Sequence, residues 1–354
     1  MDLEEFLRRI PKVELHCHVE GAVRPGTLAE LATANDVPLP AGSVDDLYHY
    51  EDLEGFLRIY ELVCRSLRRR EDFERVAYES LEDGVMTGAL RYREMFFNPT
   101  LHTREGVAYV DVVDGLLDGI RAARSDLGVE GRLIPSVYRQ DPVDVAERML
   151  EEVLSQRRDE VIGIGMDGDE LLDPPEKFTS VFEAAGKAGL RRTAHASHDA
   201  PAAFVTTCLD DLGVDRVDHG YHVLDDEAVL ARTRDDGVSF TASLGCPPLC
   251  GWPPEVEHTP IKQMRDRGLR VTLHTDDPTM LHTDVGTEYV RYGTAFGLGP
   301  AEAKALVLEA VDMAWLDDDE RRRMRAELER EIDDLAVALD AEPDEEAREA
   351  HPVP

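Results

Sequence analysis

The feature that most constrains this chain is an alternation. Short apolar, β-branched or aromatic runs recur at Val13 to Leu15, Leu90 to Phe97, Leu133 to Tyr138, Val161 to Met166, Leu190 to Ala194, Arg216 to Val217, Val238 to Ala242 and Leu269 to Leu273. Between them lie stretches with apolar residues three and four apart, such as Phe73-Val76-Ala77-Leu81, Val112-Leu116-Leu117-Ile120, Val145-Ala146-Met149-Leu150 and Phe178-Val181-Phe182-Ala185. A strand followed by such a helix returns to a parallel neighbour, and roughly eight repeats of that unit predict an α/β fold, a (β/α)8 TIM barrel. The chain, at 354 residues, exceeds the ~250 typical of such a barrel, which leaves room for extra helices. Residues 31–67 read as a helical insertion after the first strand, with Leu53, Phe56, Leu57 and Tyr60 spaced for an amphipathic helix that either caps the mouth or packs on the wall. Ala301 to Val311 and Asp318 to Leu339 read as C-terminal helices, so 1–340 is expected to form one domain and 341–354 an acidic tail.

A barrel gathers its chemistry at the C-terminal ends of its strands. Residues leaving the expected strands are His16 and His18, then Asn98, then Arg139 and Gln140, then Asp167-Gly168-Asp169-Glu170, His195, His219, Ser243 with Cys246, and Asp276 with Asp277. In His16-Cys17-His18 the side-chain period of two aims both rings to one face, and a third histidine plus one carboxylate completes an N,N,N,O set suited to Zn²⁺ with an open position for water. Iron, cobalt or manganese accept the same donors. Two-metal barrels usually carry a bridging lysine in the fourth strand, and Val161 to Met166 holds none, so one metal per chain is expected. His274, on the same side as Asp276 in a regular strand, leaves a second weak site open.

Formal net charge is −35, with 74 Asp and Glu against 39 Lys and Arg. Such a surface repels nucleic-acid phosphates and anionic lipid, which points to a small-molecule substrate and no polymer or membrane partner. The same composition matches proteins of a salt-rich cytoplasm, where screening relieves self-repulsion. The opening Met1-Asp2-Leu3-Glu4-Glu5 has neither a basic nor an apolar leader segment, and a cytoplasmic location is the expectation. The five cysteines, Cys17, Cys64, Cys208, Cys246 and Cys250, lack paired CxxC spacing and read as packing, although Cys246 and Cys250 could bind a metal or pair. Oligomeric state is not encoded in any of these features.

Taken together, Pro11-Lys12-Val13-Glu14-Leu15-His16-Cys17-His18-Val19-Glu20-Gly21-Ala22, Gly168-Asp169-Glu170, His195-Ala196, His219-Gly220-Tyr221-His222 and Thr275-Asp276-Asp277-Pro278 resemble the adenosine deaminase family of zinc aminohydrolases, in order and interval along nearly the whole chain. The resemblance implies that His16, His18, His195 and Asp276 are the zinc ligands. It implies that His219 and Asp277 orient and deprotonate the attacking water, that Asp277 and Gly168 contact the heterocycle, and that ammonia leaves an amine-bearing ring carbon.

The departures from the family pattern bear on mechanism and substrate. In the family the middle histidine is followed by Ala-Gly-Glu, and that glutamate protonates a ring nitrogen. Here the phrase is His195-Ala196-Ser197-His198-Asp199, so His198 is expected to replace the acid, with Asp199 the fallback if the loop shifts by one residue. Glu20 stands where nucleoside-cleaving members carry Asp near the ribose, and its extra methylene intrudes on the sugar. The loop from Ser243 to Trp252 keeps Cys246-Pro247 and little else, and Trp252 could stack on a ring or simply pack. The leading expectation is a zinc-dependent deaminase of a purine-like or other amino-heterocycle. A mononuclear metal hydrolase of a different bond and a catalytically silent metal-binding relative are the alternatives.

Overall fold

The computed structural model describes residues 1–40 and 44–340; the expected acidic tail, 341–354, lies outside them. The strands are β1 (Lys12–His18), β2 (Leu90–Phe97), β3 (Glu130–Tyr138), β4 (Gly163–Asp167), β5 (Arg191–Ala196), β6 (Arg216–His219), β7 (Ser239–Ala242) and β8 (Arg270–Leu273). They form one eight-stranded sheet in sequential order, and every pair is parallel. The expected start of the fourth strand at Val161 is a single isolated bridge to Leu133, and the regular strand begins two residues later, at Gly163.

The sheet closes on itself just past the end of β8. The amide of His18 donates to the carbonyl of Asp276 at 2.7 Å, and the amide of Asp276 donates to the carbonyl of His16 at 3.1 Å. Closure therefore runs through the backbone of residues whose side chains face the mouth.

Helices lie between successive strands, as the 3.6-residue patterning requires. Arg70–Gly88 buries Phe73, Val76, Ala77 and Leu81, and Tyr109–Leu127 buries Val112, Leu116, Leu117 and Ile120. Ahead of them come the helix Pro25–Ala34, which begins before the expected insertion of 31–67, then within it a 3-10 turn Val44–Tyr48 and the helix Leu53–Ser66. Asp52 caps this last helix by accepting from the amide of Gly55 at 2.8 Å, and its Phe56 and Tyr60 are buried. Leu53, Phe56, Leu57 and Tyr60 of this segment line the cavity at the barrel mouth. The C-terminal helices are Pro300–Met313 and Asp318–Asp340, the second anchored by buried Leu328 and Ile332. No helix among the described residues is long and apolar enough to cross a membrane.

Candidate metal and active site

His16 and His18 leave β1 with their rings on the same side, and both are almost fully buried. Nε2 of His16 lies 2.9 Å from Oδ1 of Asp276, Nε2 of His18 lies 3.3 Å from the same oxygen, and Nε2 of His18 lies 3.2 Å from Nε2 of His195. Donors about 2.0–2.2 Å from a tetrahedral Zn²⁺ stand roughly 3.4 Å from one another, so these separations suit a shared ion. The Nε2 atom of His16 meets the Asp276 carboxylate without hydrogen-bond geometry, and two ring nitrogens face each other between His18 and His195. Such groups are expensive to bury unless a cation receives them.

Oxygen atoms stand on the Nδ1 side of all three rings, which favours the tautomer that a metal needs. Thr241 Oγ1 donates to Asp218 Oδ1 at 2.7 Å, which leaves the threonine oxygen to accept from Nδ1 of His16, 3.0 Å away. Oδ2 of Asp218 faces Nδ1 of His195 at 3.3 Å, and Oδ2 of Asp167 faces Nδ1 of His18 at 3.7 Å. With Nδ1 as the N–H side in each ring, all three Nε2 lone pairs point into the cluster. The field also favours a cation: burial opposes charge on His18, yet the carboxylates of Asp277, Asp276 and Asp167 outweigh it and push its pKa up to about 10. The residues present therefore fit a divalent metal.

His219 brings its Nε2 within 3.9 Å of Asp276 Oδ2, and its ring within 4.7 Å of that of His195. Donor atoms of His16, His195, His219 and Asp276 all lie within 4.8 Å of one another, as do those of His18, Asp276 and Asp277. The expected ligands and the expected catalytic pair are thus one continuous cluster. Burial, with His198 adding to it, holds the His219 pKa well down, which favours the neutral imidazole. Burial raises the Asp277 pKa well above the ordinary range, against His18 and with help from Asp276.

Two backbone kinks make this crowding possible. His219 and Asp276 have φ of 67° and 64°, a left-handed conformation uncommon outside glycine. In a regular strand adjacent side chains point to opposite faces. The kinks break that alternation, so Asp218 and His219 both serve the site, and Asp276 and Asp277 both line the cavity. Asp218, fully buried and held well below the usual carboxylate range as its contacts with His195 and His16 overcome burial, is the functional residue that sequence reasoning missed.

The remaining expected residues separate into those at the mouth and those beside it. Gly168 lines the cavity with φ of 95°, and a Cβ there would stand 2.2 Å from Gln140 Oε1, so the position requires glycine and bares its backbone to a ligand. A Cβ on Gly21 would overlap Asp277 Oδ1 at 1.8 Å, so the glycine makes room for that carboxyl. Glu20 is buried outside the cavity lining. Its Oε1 accepts from the Asn98 amide at 3.0 Å and lies 2.9 Å from His102 Nε2, while Oε2 accepts from the Tyr60 hydroxyl at 3.0 Å. Trp252 packs near Tyr221 and His222 and is not among the lining residues. His274 has both nitrogens engaged, Nδ1 by the Leu15 amide at 3.1 Å and Nε2 by Thr272 Oγ1 at 2.7 Å, which leaves nothing for a second ion.

His198 lines the cavity, stacked on His219 with ring centroids 4.1 Å apart. Its Nε2 faces Cys246 Sγ at 3.3 Å and its Nδ1 faces Cys250 Sγ at 3.5 Å, and burial drives its pKa down to about 3. All five cysteines are free thiols.

The family model described as adenosine deaminase matches residues 11–331. Curated relatives include an adenine deaminase of Cupriavidus necator, 35% identical with 92% of this chain and 93% of that protein covered, and one of Caulobacter vibrioides, 35% identical with 92% and 95% covered. The chain belongs to the adenosine deaminase family. Among solved structures, a zinc-bound amidohydrolase from Burkholderia ambifaria is 37% identical with TM-score 0.90, covering 96% of this chain and 95% of that one. An adenine deaminase from Arthrobacter aurescens is 28% identical with TM-score 0.86, covering 92% and 99%. Membership makes this a metal-dependent aminohydrolase, so the deaminase expectation stands ahead of the two alternatives weighed beside it.

Proposed function

We propose that this chain deaminates a free aminopurine base, adenine foremost, with one Zn²⁺ held by His16, His18, His195 and Asp276. The observation that carries the choice of base over nucleoside is the locking of Glu20. Both carboxylate oxygens of that side chain are already engaged, Oε1 by the Asn98 amide and His102 and Oε2 by the Tyr60 hydroxyl, and the group lies outside the cavity lining, away from where a sugar hydroxyl would sit. The adjoining wall is Leu53, Phe56 and Leu57, apolar surface suited to a flat ring. The names of the closely matching relatives add support.

Bound zinc supplies a water acidic enough to furnish a nucleophile near neutral pH. The chain's own residues do the rest. His219 accepts the proton of the attacking water, and Asp277 hydrogen-bonds the water and the heterocycle. The Gly168 backbone orients the ring, while the Leu53–Ser66 helix excludes bulk solvent. We read 1–340 as a single catalytic unit working in the cytoplasm on a small molecule.

The test is ammonia release by zinc-loaded protein from adenine, adenosine and cytosine. Adenine is expected to give the highest kcat/KM. Faster turnover of adenosine overturns the base assignment, and ammonia from none of the three overturns deamination.

A further inference from the structure

An aminopurine accepts hydroxide at its amine-bearing carbon only if a proton reaches the neighbouring ring nitrogen. The family's donor is absent from the loop after β5, yet the cavity holds another carboxyl from a different strand. Glu170, in the loop after β4, lines the cavity and is 3% exposed. Its carboxyl rests on the backbone of the residue that bears the acid elsewhere in the family: the His198 amide donates to Oε1 at 3.4 Å and to Oε2 at 3.2 Å, and the Ala200 amide donates to Oε2 at 3.3 Å. The turn in which the Leu171 amide donates to Asp169 Oδ1 at 2.9 Å shapes this loop, with Asp169 partly exposed and Glu170 buried. Gly168, whose backbone is bared to the cavity, is two residues away on the same loop.

We propose that Glu170 is the group that protonates the purine ring nitrogen in this protein, supplying from the β4 loop a carboxyl that the β5 loop has lost. The inference rests on the deaminase reading above. The rival groups are less well placed. Both ring nitrogens of His198 are directed at thiols. Asp167 is held by Asn98 Nδ2 at 2.7 Å. Asp199 also lines the cavity, but it is half-buried beside Asp169 and His222 and no amide of another described residue holds its side chain, so Asp199→Asn is the control.

The step balances as follows. The water oxygen bonds to the amine-bearing carbon, one water proton passes to His219, and the Glu170 proton passes to the ring nitrogen. The carbon–amine bond then breaks, the amine leaves as ammonia with the proton held by His219, and the hydroxyl proton returns to the Glu170 carboxylate as the carbonyl forms. Groups facing Glu170 are Arg139 at the end of β3, His198 and Asp199 after β5, Cys208 in the following turn and Cys250 after β7. Burial, opposed by Arg139, raises the Glu170 pKa to about 7, which leaves a transferable proton at neutral pH.

The experiment compares the zinc-loaded wild type with Glu170→Gln, Glu170→Asp and Asp199→Asn on adenine, with calorimetric binding of hypoxanthine as a readout independent of turnover. Gln keeps an acceptor for the His198 and Ala200 amides but has no acidic proton. Glu170→Gln is expected to lower kcat by about 10²–10⁴-fold, to bind hypoxanthine within about threefold of wild type, and to lose the alkaline decline of the wild-type kcat profile. Glu170→Asp is expected to recover part of the rate together with that decline. The proposal is overturned if Glu170→Gln stays within about threefold of wild-type kcat, if its alkaline limb persists, or if the large loss falls on Asp199→Asn instead. Should Glu170→Gln fail to bind hypoxanthine, Glu170→Asp decides: no recovered rate and no alkaline limb overturns the assignment. A wild type that releases no ammonia refutes the deaminase reading, whereas an active wild type with an equally active Glu170→Gln refutes only the role of Glu170.

Discussion

Asp218→Asn is the substitution on which the metal-site argument is most exposed. Asp218 contacts no expected substrate atom; it stands behind two ligands and is fully buried. Oδ1 accepts from Thr193 Oγ1 at 2.9 Å and Thr241 Oγ1 at 2.7 Å, while Oδ2 faces His195 Nδ1 at 3.3 Å. An amide cannot reproduce this pattern. If its oxygen keeps the two hydroxyls, its NH₂ confronts the N–H side of His195; if it flips, two buried hydroxyls lose their acceptor. The first arrangement drives His195 toward the wrong tautomer and withdraws its Nε2 lone pair from the cluster; the second keeps the tautomer but leaves two buried hydroxyls facing a donor, so the wall behind His16 and His195 must shift. Removing such an orienting carboxylate typically weakens metal binding 10–100-fold, about 1.4–2.7 kcal/mol. Zinc affinity is measured by competition with a chromophoric chelator at fixed pH, with circular dichroism to check the fold. A folded Asp218→Asn protein with zinc affinity within about twofold of wild type would refute the claim that Asp218 sets the ligand tautomer.

Other substitutions and conditions probe the rest of the site. Gly168→Ala places a methyl group against Gln140 Oε1 at a φ of 95° and is expected to destabilise by roughly 1–3 kcal/mol and to raise KM more than it lowers kcat; an unchanged Tm and KM would show that the backbone there is free to relax. The net charge of −35 predicts that Tm rises from dilute buffer to molar salt, because the Debye length shrinks to about 3 Å and self-repulsion is screened. Equal Tm in both would remove the salt-rich habitat as an explanation of the composition.

The barrel was legible because its evidence is periodic. Runs such as Leu90 to Phe97, which is observed as a strand over the same residues, carry their own length and character, and the intervening helices declare their buried stripe. The candidate site positions were legible for a related reason: a barrel tells which end of each strand matters, and the proposed ligands His16, His18, His195 and Asp276 sit there together with His219. What escaped was whatever depends on a single backbone angle or on segments far apart in sequence. Period-two reasoning turns Asp218 away from His219, and only the positive φ of His219 brings both inward. Glu20 reads as an intruder into a sugar site until Tyr60 from the insertion and His102 from beyond β2 are seen to absorb it. Glu170 was placed at a strand end without a role, because its docking on the His198 amide joins two loops that no local pattern links.

The closing seam yields a last prediction. The sheet is joined between its first and last strands by the His18 amide donating to Asp276 at 2.7 Å and the Asp276 amide donating to His16 at 3.1 Å. The side chains of these same three residues are proposed to hold the ion, so the metal ties the two edges of the barrel together from inside. A ligand present at 1,000 times its Kd stabilises the state that binds it by about 4 kcal/mol, and here much of that is expected at the seam. Removing zinc should therefore accelerate hydrogen exchange at the His18 and Asp276 amides by several orders of magnitude. The Leu133 amide, which donates to Glu160 at 2.9 Å away from the cluster, should change far less. Uniform acceleration of all amides would mean that the ion supports the whole fold without singling out the seam. No acceleration at His18 and Asp276 would mean that the barrel closes independently of the metal, and that the coincidence of seam and ligands has no energetic content.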